Sequence, residues 1–214
     1  MYQAEGNLQE AAKLLIDVNE RTISQMAFKT KLTQLRLERN HAEAIRLLQA
    51  RRAQVPSAFE VQKSIYLLHL AFAQRFVGDT AGTKVTAEQA RNTSAPLGKE
   101  EWDNPGLEAQ LALADALLGE KDLALREVER AIMTLDPITK TEMRLGYGVY
   151  LALIQTVFGE NSRAISTLTR LLKAPFGYID SPIPLTPALL RLDPAWDPLR
   201  ADPAFQKLCQ EKQP

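Results

Sequence analysis

Cysteine and histidine are scarce in this sequence. Its 214 residues hold one cysteine, Cys209, and two histidines, His41 and His69. One thiol cannot close an intrachain disulfide and leaves the redox compartment open; Cys209 reads as an ordinary thiol. A nucleophile needs a neighbouring base and a metal needs convergent ligands, and these three residues lie far apart along the chain. A glycine-rich phosphate loop, an HExxH motif and a paired CxxC are all missing. No catalytic residue, metal or cofactor is therefore expected, and the chain reads as a non-enzyme. Acidic pairs such as Glu120 with Asp122 and Glu127 with Glu129 read as solvated helix faces.

Charge of one sign is also lacking. Lys and Arg number 26 and so do Asp and Glu, so no global field draws the chain to nucleic acid or to a membrane surface. No apolar run approaches the roughly 18 residues needed to span a bilayer. The opening residues MYQAEGNLQE have neither a basic flank nor an apolar signal region. A soluble, cytoplasmic chain is expected, or a periplasmic or extracellular one if it follows an upstream transmembrane segment.

What is present is a repeat. From Leu111 to Pro137, a stripe of Leu111, Ala112, Ala116 and Leu118 runs into Gly119, and a second stripe of Ala124, Leu125, Val128, Ala131 and Ile132 follows. That pattern predicts a helical hairpin with glycine in its turn. Ala152, Gly159, Ala164 and Leu168 repeat it forty residues later, and Ala71, Gly78 and Ala87 precede it by forty-one. A further step of thirty-nine reaches Leu32, Arg39, Ala44 and Leu48, where Asn40 is expected to supply the left-handed turn residue. Gly6 and Ala11 match the turn and second helix of a leading half-unit. The chain thus reads as all-α, one repeat array over residues 1–174 built of a half-repeat and four hairpins.

The predicted helices are about 7–20, then 22–38 with 42–53, 58–77 with 80–92, 107–118 with 122–135, and 139–158 with 162–173. Pro56, Pro96, Pro105 and Pro137 are all placed between hairpins, and no strand is predicted. Starting mid-unit leaves an apolar face that an upstream helix or a partner is expected to cover, as in a piece of a longer protein. Residues 175–214 hold eight of the twelve prolines and cannot continue the repeats. Their Leu185, Leu189, Leu190, Trp196, Leu199 and Phe205 are too apolar for a disordered tail. They are expected to form a cap over the fourth hairpin, with a last helix from about Pro203.

The order of small and large residues resembles the tetratricopeptide repeat, in which small residues sit where helices cross closely. Leu111, Ala112, Ala124, Val128 and Ala131 carry the resemblance, with Pro137 closing the unit. The period is forty rather than thirty-four, and Asp115 stands where a large aromatic is expected. HEAT-type arrays, with periods near forty, are the rival. The segment LTPALLRLDPAWDPLRADPAFQKL resembles the closing segment of tetratricopeptide regions in large bacterial signalling proteins, which carry kinase, cyclase or winged-helix modules. The resemblance implies a right-handed α-solenoid serving as a protein-interaction scaffold in such a protein.

It also implies that the first helices line a concave groove. The groove positions are Lys29, Thr33 and Arg36, then Leu68, His69, Phe72 and Arg75, then Ala109, Gln110 and Leu113, then Val149, Tyr150 and Leu153. Phe72, Leu113, Tyr150 and Leu153 would give apolar contacts, and Lys29, Arg36 and Arg75 would orient a peptide. Of the residues used to clamp chaperone C-termini only Lys29 is in place: Thr33 replaces an asparagine, and Gly106 and Gln110 replace a lysine and an arginine. Chaperone tails are therefore not expected. Between Arg21 and Arg52 eight basic residues face two acids, and between Glu100 and Asp136 ten acids face three bases. That imbalance suggests an acidic partner segment, or a homodimer joined basic end to acidic end. The alternative is nucleic-acid binding by the basic helices, which lack interleaved aromatics.

Overall fold

The computed structural model describes residues 1–56, 59–100, 105–135, 141–173, 177–178 and 181–210. The fold is all-α. Its helices are α1 (Tyr2–Glu5), α2 (Leu8–Leu14), α3 (Gln25–Leu37), α4 (His41–Arg52), α5 (Glu60–Phe76), α6 (Thr80–Glu100), α7 (Pro105–Leu118) and α8 (Lys121–Thr134). Then come α9 (Thr141–Val157), α10 (Asn161–Leu172), α11 (Pro187–Leu192), a 3-10 helix (Pro194–Leu199) and α12 (Pro203–Gln210). Between α10 and α11 the short strands β1 (Gly177–Tyr178) and β2 (Ser181–Pro184) pair antiparallel, a feature the sequence pattern did not predict.

Five helices, α1, α3, α5, α7 and α9, stop at corners close to those the sequence marks, and for a stereochemical reason. Among the described residues positive φ occurs at Gly6, Arg39, Gly78, Gly119 and Gly159, spaced by 33, 39, 41 and 40 residues. At each corner the next N–H reaches five residues back: Asn7 to Tyr2, Asn40 to Leu35, Asp79 to Gln74, Glu120 to Asp115 and Glu160 to Gln155, at 2.8–3.0 Å. That bond needs a left-handed residue just before its donor, and it satisfies a carbonyl the ending helix would orphan. At the first full hairpin Arg39 itself is left-handed (φ 58°), correcting the assignment to Asn40.

Two other expectations change. Pro96 lies inside α6, which runs to Glu100, so this helix continues despite losing the N–H that would serve the Asn92 carbonyl. The helix predicted from Asn7 to Glu20 ends at Leu14, and α1 stands before it. Pro105 opens α7 at its first position, where the missing N–H costs nothing. Pro137 lies outside the described residues.

The chain divides into two units, His41–Thr139 and the combination of Met1–Asn40 with Lys140–Pro214. In the central unit α4 packs on α5, α5 on α6, α6 on α7 and α7 on α8, and α5 also meets α7. The contact surfaces are alanine: Ala71, Ala87, Ala90, Ala112, Ala124 and Ala131 are fully buried. Side chains this small let helix backbones approach closely, so dispersion contacts accumulate over the whole crossing.

In the other unit both ends of the chain meet. The 3-10 helix packs on α9 and α10, and α12 packs on α10 and α11. Trp196, Leu185, Leu189, Leu190, Leu199 and Phe205 are buried there. Gly148 of α9 has no room for more: a Cβ would stand 2.8 Å from Leu171 Cδ2 of α10. The N-terminal helices close on the same segment, α1 against α11 and α3 against β2. Thr186 Oγ1 donates to the Ala4 carbonyl at 2.7 Å, and Gln3 Nε2 donates to Gln34 Oε1 at 2.8 Å. Ala4 and Gly6 thus lie against α11, while Leu14 and Ile16 of the predicted 7–20 helix stay exposed at 73% and 76%.

Gly119 is a clean place to measure a corner, because an added Cβ meets nothing within 4 Å and only the φ of 93° is at stake. Gly119→Ala should lower unfolding free energy by about 1 kcal/mol in urea titrations. An unchanged midpoint and slope would show that the corner tolerates an L-residue.

Candidate functional site

The nine predicted groove residues fall into both units. Lys29, Arg36, Tyr150 and Leu153 belong to the unit of the two chain ends, while His69, Phe72, Arg75, Gln110 and Leu113 belong to the central unit. Leu113, Tyr150 and Leu153 are buried at 3%, 6% and 3% exposure, so their own fold covers them and they offer no groove surface. The same holds for Leu68, Ala109 and Val149. Tyr150 instead stacks on Tyr147, ring centroids 6.0 Å apart. Lys29 is half-buried.

Arg36 has a structural partner. Its Nε lies 2.9 Å from Asp193 Oδ2, a carboxylate with no exposed side-chain surface. Asp193 also accepts from the Ala195 N–H at 2.8 Å and so caps the 3-10 helix. Beside it, Arg39 holds Asp197 in a bidentate pair at 2.7 Å for both bonds, and Arg200 Nε reaches the same carboxylate at 2.6 Å. Burial works to raise the Asp197 pKa, yet the hydrogen bonds from Arg39 and Arg200 prevail and hold it below the usual carboxylate range.

Much of the sequence's basic excess is spent in this way. Arg46 pairs with Glu43 at 2.8 Å, Arg51 donates to Tyr66 Oη at 3.3 Å and lies over its ring, and Lys31 donates to the Leu15 carbonyl at 3.1 Å. A basic surface awaiting an acidic partner is correspondingly reduced.

On α5 and α7 a different surface remains. Phe72 and Phe76 are half-buried, their centroids 6.4 Å apart, and His41 stacks on Phe76 at 5.1 Å. Phe72 rests on the buried cluster of Ala71, Ala87 and Leu117, so one face is fixed by packing. His69 is half-buried one turn before Phe72, and Arg75 is exposed one turn after it. Gln110 on α7 is half-buried, with Oε1 lacking a hydrogen-bond partner. The strip can supply aromatic contact and a guanidinium to a bound chain.

The sequence reading missed a second cluster, in the third hairpin. Asp115 on α7 is 1% exposed, with Oδ1 2.9 Å from Arg91 Nε of α6, and burial above all holds its pKa above the usual carboxylate range. Arg130 Nε of α8 holds Glu108 of α7 at 2.9 Å. Glu127 of α8 is half-buried rather than part of a solvated face, which corrects that expectation, and burial above all raises its pKa to about 8. The signal was available: a carboxylate stood where the repeat pattern asks for a large aromatic. Among the described residues no three His, Cys, Asp or Glu side chains converge to hold a metal. No helix among them is long and apolar enough to cross a membrane.

No family model, curated protein or solved structure matches the chain. Its function must therefore be argued from its own residues.

Asp193→Ala would strand a nearly buried guanidinium and remove a cap at once. It should cost about 3–5 kcal/mol of unfolding free energy. A loss under about 1 kcal/mol in urea denaturation would release Arg36 from this structural role.

Proposed function

We propose that the chain is a tetratricopeptide-like helical repeat scaffold that binds an extended or helical partner peptide on the α5 and α7 face of its central unit. One observation carries the reading: a half-buried aromatic strip, Phe72 and Phe76, with His69 and exposed Arg75 on the same helix, whose other side is locked by alanine packing. A rigid apolar patch beside a cation suits a peptide that inserts apolar side chains and presents a carboxylate to the guanidinium. Supporting the repeat assignment are the corners near every fortieth residue and the helix-on-next-helix packing within the central unit.

The groove is confined here to that unit, because Leu113, Tyr150 and Leu153 are covered and Arg36 is engaged by Asp193. Internal pairing of Arg36, Arg39 and Arg46 weighs against both nucleic acid and a charge-driven homodimer as the occupant. The likeness of the closing segment places the scaffold, as part of this proposal, in a cytoplasmic bacterial signalling protein.

Panning a random peptide library against the whole chain, followed by calorimetry, tests the reading. Enriched peptides should bind with micromolar affinity and weaken about tenfold with Phe72→Ala and severalfold with Arg75→Ala. Peptides that bind wild type and both variants alike would remove it.

A further inference from the structure

The accessible surface of α5 follows a period. Between Ser64 and Ala73 every residue is buried except Ile65, His69 and Phe72, which are half-buried. Gln62 and Phe76 are half-buried as well, so the stripe runs through positions 62, 65, 69, 72 and 76, in alternating steps of three and four. On a helix such steps keep to one face. The rest of α5 is taken up by packing on α4, α6 and α7, which buries Tyr66, Leu70 and Ala73. Phe72 and Phe76 lie 6.4 Å apart along the stripe, and His41 of α4 stacks on Phe76 at 5.1 Å.

Two properties of this stripe select the shape of what can lie on it. The first is spacing. Steps of three and four repeat about every 10.5 Å along the axis, the interval at which a second helix sets its own side chains between those of the first. An extended chain presents one side chain to a face about every 6.8 Å, so it falls out of step within a few residues. The second is hydrogen bonding. The backbone of α5 is spent within its own helix, and Ile65, Phe72 and Phe76 offer only carbon. An extended chain laid there would leave its N–H and C=O groups unpaired, whereas a helix arrives with them satisfied.

We infer that the partner segment is an amphipathic helix that packs along α5 in coiled-coil fashion; the inference rests on the peptide-binding reading above and names the form of its ligand. The stripe is about 21 Å long, so about 15 residues of the partner cover it. Apolar side chains at steps of three and four meet Ile65, Phe72 and Phe76. Arg75, exposed at the edge beside Phe76, faces an acidic residue of the partner. At the other end Gln62 Nε2 is buried with no hydrogen-bond partner among the described residues, and the arriving helix supplies the acceptor. A polar group in an otherwise apolar seam fixes the register of two helices, so Gln62 determines where the partner stops sliding.

Panning two libraries of 16-residue peptides on the whole chain tests the inference. One library carries apolar residues at steps of three and four; the other alternates apolar and polar residues around a central Pro-Gly. Binders should come from the first library and gain helical circular dichroism in the complex, a readable change because a free peptide of this length is marginally helical in water. They should weaken about tenfold with Phe72→Ala and about fivefold with Arg75→Glu, an exposed change that leaves packing intact. Binders that weaken with both variants yet come from the alternating library, or gain no helical signal, would overturn the helix and leave the α5 site standing. If neither library yields a binder sensitive to either variant, the site falls and the helix with it.

Discussion

A helix that ends must dispose of its last carbonyls, and α1, α3, α5, α7 and α9 do so in one way. A left-handed residue turns the backbone so that the following N–H reaches five residues back, from Gly6 and Asn7 through Gly159 and Glu160. The reversal turns the chain back so that the next helix packs on the one just ended, as α8 does on α7 and α10 on α9. Ala112 and Ala124 face each other's helices across Gly119 because the corner is tight, and bulkier side chains there would hold the backbones apart. Packing and turn chemistry are thus one constraint expressed twice.

That shared constraint explains what could be read from the sequence. Corners leave a local signature, glycine at fixed spacing, and from α3 to α10 the helix limits were legible to within about three residues, except the end of α6, eight residues beyond the predicted one. Arg39 escaped because its left-handed backbone is not written in its residue type. Its guanidinium is bidentate to Asp197, 158 positions away, and a tertiary contact of that kind helps hold a strained backbone in place. Pro96 escaped for the complementary reason: a proline is a strong local stop, and α6 nonetheless continues through it.

The site was less legible than the fold, because burial is a property of neighbours. Register correctly places Phe72 and Leu113 at equivalent positions of their helices, yet Phe72 is half-buried and Leu113 is covered. Nothing in either helix's own periodicity separates them. The packing of α1 on α11 was equally out of reach, since it joins Ala4 to Thr186 across 182 positions. An open array of hairpins would keep those ends apart. Here α3 and the fourth hairpin, α9 with α10, share one unit through the cap.

Charge counted along the sequence misleads for a related reason. Windows of thirty residues suggested a basic end and an acidic end, but an ion's value to a partner depends on whether the fold has already engaged it. Arg36 and Arg39 lie in the basic window and are held by Asp193 and Asp197, which lie outside both windows. Glu108 and Asp115 lie in the acidic window and are held by Arg130 and Arg91. What such pairing leaves over is more informative than what it consumes. Arg91 and Arg130 are already taken by Asp115 and Glu108, and burial pushes the half-buried Glu127 carboxyl up to about 8. Charge left after pairing, rather than charge density, is therefore what a count along the sequence fails to show.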